Sequence, residues 1–235
     1  MSFRKSGWVA VFVLSLACVG NAAIVPPQLP VADPSWEKVI EVDGVKVHKK
    51  DIPDSDVVAF RGETIYDAPI ARVANVLIDT SRKLEWVSKC VEAKDIRQNG
   101  PFERVEYNKT ASGFFAVKDR DFVFHAKAEL NREKQQMIIR MKSVSDPLAP
   151  ETGSVRGELK QSTYTLTSLD GGRKTHLVVE IQADPKGSVP KWLVNLFQRS
   201  WPRKTLEGIR EQLQKPDVVE HPGVKAFFEG KKTAA

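Results

Sequence analysis

The sequence predicts an α+β domain in which one antiparallel sheet of about nine strands wraps round a long C-terminal helix. Two observations carry this. Between Val39 and Ala183 the apolar residues recur mainly at every second position, interrupted by turn residues and one short helical stretch. After Ser188 the spacing changes to that of a helix and holds to Gln214. Of the 235 residues, 41% are hydrophobic and 28% charged, which excludes a disordered chain and a bundle of membrane helices.

The elements follow in order. Arg4 and Lys5 precede a short apolar run at residues 9–17, and Gly20 and Ala22 put small residues before a cleavage point at Ala23. Residues 1–22 therefore read as a secretory signal. The run is far shorter than the ~20 residues of a membrane span. A lipid-bearing Cys18 fits poorly, because Ser15 rather than Leu stands three positions before it. An exported protein is expected, periplasmic in a bacterium with two membranes. Residues 23–34 hold Pro26, Pro27, Pro30 and Pro34 and read as an extended linker. The folded domain is expected over residues 35–215, with a polar tail over 216–235.

Asp33 and Pro34 are expected to open a short helix at 35–38. Strands at 39–42 and 45–49 flank Asp43-Gly44, a hairpin signal. A third strand is expected at 56–66. Asp67 then caps a helix whose Ile70, Val73, Val76 and Leu77 share one face, and a second short helix follows at 80–87. Further strands are expected at 90–97, 102–110, 120–130, 135–144, 155–168 and 174–183, with Asn99-Gly100, Asn131 and Asp170-Gly171-Gly172 in the turns. The clearest alternation puts Phe122, Phe124, Ala126, Ala128 and Leu130 on one face and Asp121, His125, Lys127 and Glu129 on the other. A sheet that is apolar on one face only is antiparallel and covered on one side. The cover is the helix expected at 189–214. Ser188 is its cap, Pro190 lies in its first turn, and Trp192, Leu193, Leu196 and Phe197 form an apolar stripe that Leu206, Ile209 and Leu213 continue. Pro202 is expected to kink or divide it.

The chemistry is sparse. The net charge is +6, and loss of Arg4 and Lys5 with the leader lowers it to +4. That suits an anionic membrane surface but does not mark a nucleic-acid binder. Cys18 and Cys90 are the only cysteines, so neither a disulfide framework nor a cysteine-built zinc site is expected. Cys90 reads as a buried, inert thiol. The four histidines are scattered without metal-ligand spacing. No Gly-x-Ser-x-Gly elbow or phosphate loop occurs.

The motifs, taken in order, resemble the START domain family, the lipid-transfer module named for the steroidogenic acute regulatory protein. They are Val45-Lys46-Val47-His48, Arg82 with Trp86, Arg120-Asp121-Phe122-Val123, Ser143-Val144 with Pro147 and Pro150, Val155-Arg156-Gly157, and Asp184-Pro185-Lys186-Gly187-Ser188-Val189-Pro190. The resemblance implies the helix-grip fold, with an internal apolar tunnel, and a monomeric, non-enzymatic lipid carrier without cofactor. It implies a lipid ligand and a transient membrane surface as partners. It places the gate between the C-terminal helix and the 146–150 loop, with Leu148 meeting the bilayer. The expected tunnel and lid residues are Trp86, Tyr107, Arg120, Phe122, Phe124, Met141, Leu148, Trp192, Leu193, Leu196 and Phe197. Tyr107 would offer a hydroxyl to the ligand. The steroidogenic members carry a Glu–Arg pair in the tunnel. Its nearest positions here are Tyr107 and His125 or Ala126, so steroid specificity is not implied.

Two other readings stay open. A helix-grip enzyme of the cyclase, aromatase or hydrolase kind would need an acid or base in the pocket, with Tyr107, Arg120 or His125 as candidates. A ligand sensor would dock through the apolar part of the tail, residues 218–228.

Overall fold

In the computed structural model the described residues are 33–55, 57–188 and 191–230, with the side chains of 191–199 excepted. The expected leader, most of the proline-rich segment, and the side chains of Trp192, Leu193, Leu196 and Phe197 lie outside them.

Asp43 and Gly44 both take positive φ, 50° and 73°, the geometry of a tight hairpin turn. They join β1 (Glu37–Val42) to β2 (Val45–Lys50). β3 (Ala59–Tyr66), α1 (Ile70–Ile78) and a 3-10 turn at Thr80–Glu85 follow. Next come β4 (Cys90–Gly100), β5 (Glu103–Thr110), β6 (Arg120–Asn131) and β7 (Gln136–Ser143). The chain ends in β8 (Val155–Arg156), β9 (Glu158–Leu169), β10 (Lys174–Asp184), α2 (Lys191–Leu213) and α3 (Pro222–Phe228). The sheet runs β1-β2-β3-β10-β9-β7-β6-β5-β4, and β8 adds a short parallel pairing to β6. Every neighbour along the main path is antiparallel. The chain therefore passes from β3 to the far edge of the sheet at β4 and comes back beside β3 only with β10.

Register decides which residues face the helix. Val179 pairs with Gly62 and Ile181 with Phe60, so these share the inner face with Leu177. Leu206 and Ile209 of α2 are fully buried in the same core as Val47, Leu166, Leu177 and Val179. Each such side chain contributes about 1.5–3 kcal/mol. Two glycines allow the helix this close. A Cβ on Gly62 would stand 2.9 Å from the Pro202 Cβ, and one on Gly208 only 2.2 Å from the Trp86 carbonyl oxygen. The Tyr66 hydroxyl donates to the Leu206 carbonyl at 2.8 Å. Glu85 accepts from Arg82, Gln212 and Lys215 at 2.6–2.8 Å. The half of α2 after Pro202 is thus pinned to both the sheet and the 3-10 turn.

Several local expectations are corrected. Asp33 caps only a turn, through Ser35 N at 2.9 Å, and β1 starts at Glu37 where a helix was expected. Asp67 caps nothing in α1, whose first position follows Pro69 without a side-chain bond; Asp67 pairs with Lys174 at 3.1 Å instead. The strand expected at 155–168 is two, broken at Gly157, where a Cβ would meet the Phe122 ring at 2.4 Å. Pro202 does not divide α2, which continues from Lys191 to Leu213. The expected tail contains α3, which packs on α1. Val218 and Val224 are buried in the main core, and His221 N donates to the Ala71 carbonyl at 2.9 Å.

Candidate functional site

A cavity of about 260 Å³ lies between the sheet, the 3-10 turn and α2. Phe60 of β3, Phe122 and Phe124 of β6, Met141 of β7, Leu159 and Tyr164 of β9 and Ile181 of β10 wall it on the sheet side. Trp86 and Val87 follow from the 3-10 turn, and Ser200, Trp201 and Lys204 from α2. Ala111, Ser112 and Val117, in the loop between β5 and β6, and Pro185 also line it. The volume exceeds the ~150 Å³ of an engineered cavity that admits benzene and falls just short of the ~300–1,000 Å³ of drug-sized sites.

The buried polar groups of the wall are of two kinds. Lys83 is buried and ion-paired with Glu106, which is fully buried. Arg104 Nε reaches the same carboxylate at 3.2 Å and Asp95 at 3.3 Å, and the Thr80 hydroxyl donates to Asp95 at 2.9 Å. A buried pair offsets its desolvation only when such further hydrogen bonds are present. The Lys83 ammonium also sits over the Phe124 ring, 5.5 Å from its centre. By contrast Trp86 Nε1, Asn108 Oδ1 and Ser162 Oγ are buried without a hydrogen-bond partner in the protein. Buried polar atoms in native proteins are nearly always paired, with protein, water or ligand, so these atoms are available to a water or to a polar group of a guest. Burial pushes the Tyr164 phenol well above its ordinary range, so it stays a neutral donor.

Of the residues singled out in the sequence, Trp86, Arg120, Phe122, Phe124 and Met141 line the cavity. Tyr107 and Leu148 do not. Tyr107 pairs with Val123, and Asn108 with Phe122. Tyr107 therefore lies on the outer face, fully buried, with its hydroxyl 3.3 Å from Asp121. Asp121 also accepts from Thr152 at 2.6 Å and Arg156 at 2.7 Å. Burial works against the Asp121 carboxylate, but these donors outweigh it and hold its pKa below the usual value. The 146–150 loop lies over this outer cluster, with Asp146 bonded to Arg97 at 3.1 Å and Ala149 packed on Tyr107 and its neighbours. Leu148 is 65% exposed on that loop, and no residue of the 146–150 loop is in the cavity wall. The loop that does frame the mouth is 111–119.

Sequence reasoning missed Lys83, Glu106, Asn108, Ser162, Tyr164 and Trp201. Arg104, Glu106, Asn108 and Thr110 alternate along β5 as a polar face, which reads as the solvent side. Only the register with β6 turns it inward. Trp201 had a signal: it stands four residues after Phe197, on the stripe already noted.

The START domain model matches residues 27–216. The chain belongs to the START domain family. This START domain is 28% identical over 180 residues to an uncharacterized protein of Pseudomonas aeruginosa, covering 77% of this chain and 87% of that one. It is 24% identical over 168 residues to the phosphatidylcholine transfer protein of Bos taurus, covering 68% and 76%. Among solved structures, human STARD10 superposes with TM-score 0.70 at 22% identity over 84% of each chain. A STAR-related lipid transfer protein of Xanthomonas axonopodis gives 0.67 at 24% identity, over 77% of this chain and 99% of that one. The helix-grip fold expected from the sequence is the fold observed, with α3 as an added C-terminal helix.

Proposed function

We propose that this START domain is a lipid carrier: it takes one hydrophobic molecule into the cavity, shields it from water, and delivers it to a membrane without breaking a bond. The cavity carries the reading. It is apolar, roofed by α2, and equipped with a few buried polar atoms that lack partners. The family relatives named as phosphatidylcholine and StAR-related lipid transfer proteins support the same reading. Burial of apolar ligand surface supplies affinity at about 25 cal/mol per Å², and the polar atoms supply orientation.

The candidates for an enzymatic reading do not converge on the cavity. Tyr107 is on the outer face. His125 Nε2 lies 3.0 Å from Glu103 and shares that face by alternation. Arg120 lines the cavity but donates to the carbonyls of Lys118, Pro185 and Lys186. An acid or base must be free to exchange a proton with a bound substrate, so these observations favour carriage over catalysis.

The gate in this proposal is the 111–119 loop against the part of α2 around Trp201. Phe115, in that loop, is wholly exposed, and an exposed aromatic at a cavity rim suits insertion into a bilayer. The carrier is proposed to work after export. Among the described residues no helix is long and apolar enough to cross a membrane. N-terminal sequencing of protein made in an exporting host should begin at Ala23.

Native mass spectrometry of protein purified without detergent tests the function. A stoichiometric lipid adduct that moves between vesicles is the expected result. Phe115→Asp should slow that movement several-fold while leaving ligand occupancy unchanged. A protein that is empty, and stays empty with sterols, phospholipids and fatty acids, would overturn the proposal.

A further inference from the structure

The cavity wall carries Lys83, Lys89, Arg120 and Lys204 and, among the described residues, neither Asp nor Glu. The nearby carboxylates are committed elsewhere. Glu106 holds Lys83 and Arg104. Asp119 accepts from Ser112 N at 3.0 Å and faces Lys109 at 3.6 Å, and Glu207 accepts from Arg203 at 2.7 Å. Lys83 is therefore neutralised at the inner end. Lys89 and Lys204 are exposed at the mouth; Lys89 donates to the Ser112 carbonyl at 3.0 Å and lies over the Phe114 ring, and Arg120 joins them with its guanidinium on backbone carbonyls rather than on a carboxylate. The Lys89 ammonium is pushed below the ordinary lysine range, first by burial and then by the charge of Lys204. The like charges of Lys89, Arg120 and Lys204 thus border one cavity.

We propose that the guest of this cavity is a single-chain amphiphile whose polar end is an oxyanion, a carboxylate or a phosphate, held at the mouth by Arg120, Lys204 and Lys89 with its chain inside. The proposal rests on the carrier reading above and specifies its ligand. An anion between the rim cations relieves their repulsion and forms charge-assisted hydrogen bonds, the stronger kind. A quaternary ammonium headgroup meets the opposite field, and the Phe124 face, one aromatic surface that would receive it, already has Lys83 over it. The volume of about 260 Å³ suits one chain better than two.

Four probes with the same chain separate headgroup from tail: oleic acid, oleoyl lysophosphatidic acid, oleyl alcohol and oleoyl lysophosphatidylcholine. Each is titrated into the full chain, cleared of bound lipid, at pH 8 and below its micelle concentration. The two anions should bind about tenfold more tightly than the other two, the scale of one hydrogen bond to a charged group. The tighter of the two identifies carboxylate or phosphate as the oxyanion. High salt should shrink the lead, as should Lys204→Glu, a change at an exposed helix position. Arg120→Gln should do the same. Equal or tighter binding of the alcohol or the zwitterion, or a lead untouched in both variants, overturns the anion proposal and leaves carriage standing. Binding of none of the four, by a protein that also takes up no sterol or diacyl lipid, removes both.

Discussion

Tyr107 is the residue whose role the tertiary structure reverses. The phenol is pushed up to about 12, first by burial and then by the neighbouring carboxylate, and it bonds across the outer face rather than into the cavity. Tyr107→Phe should therefore cost about 1 kcal/mol of stability in chemical denaturation and leave ligand occupancy by native mass spectrometry unchanged. A ligand-contacting Tyr107 would give the opposite pair of results. Glu63 is a second telling residue. The His176 imidazole, then Arg61 and Lys46, hold its carboxyl down to about 2 against a burial effect that pushes it up. A carboxylate depressed in the folded state adds stability above its unfolded pKa of about 4.3. That contribution is lost as pH falls from there through about 2. Tm should drop over that window, and Glu63→Gln should flatten the drop.

At the scale of elements, α3 is the piece whose status changes. Read along the chain, residues 216–235 are polar with one short apolar piece. In space Val218 and Val224 complete the core beneath α1, and Arg132 donates to the Phe227 carbonyl at 2.6 Å. Stopping the chain after Lys215 should cost about 3–6 kcal/mol, the burial of two valines, and lower Tm by roughly 10 °C. No residue of α1 or α3 lines the cavity, so the shortened protein should still bind its ligand below its new Tm. A sensor that docks through this segment would instead need α3 to leave α1. The strands, β5 included, were legible because alternation, the Asp43-Gly44 turn and the β-branched runs all act locally. The inward face of β5 was not, because it is built from Arg104, Glu106, Asn108 and Thr110. Those residues pass for solvent-facing until Lys83 arrives from the 3-10 turn to meet Glu106.

For the whole molecule, the cavity and the stability belong to different ends of one sheet. The core under α1, α3 and the second half of α2 is filled, and the space under Trp201 and the 111–119 loop is open. A ligand that binds only the folded state stabilises it by about 2.7 kcal/mol at a hundred times its Kd. Reloading the emptied protein with the lipid recovered from it should then raise Tm by roughly 5–10 °C, read by scanning fluorimetry; no shift at saturating lipid would speak against an internal site.

The sequence by itself determined most of the elements and their order, and through the ordered motifs the START family. These depend on periodicity, turn residues and local spacing, which a single chain displays. The shared face of Phe122 and Phe124 followed from alternation within one strand. What only the tertiary structure decided was which face of β5 meets Phe122, which loop frames the mouth, and that the 146–150 loop covers Tyr107 instead. Strand register and loop packing are set by contacts between residues far apart in the chain. A shift of one position in register exchanges the two faces.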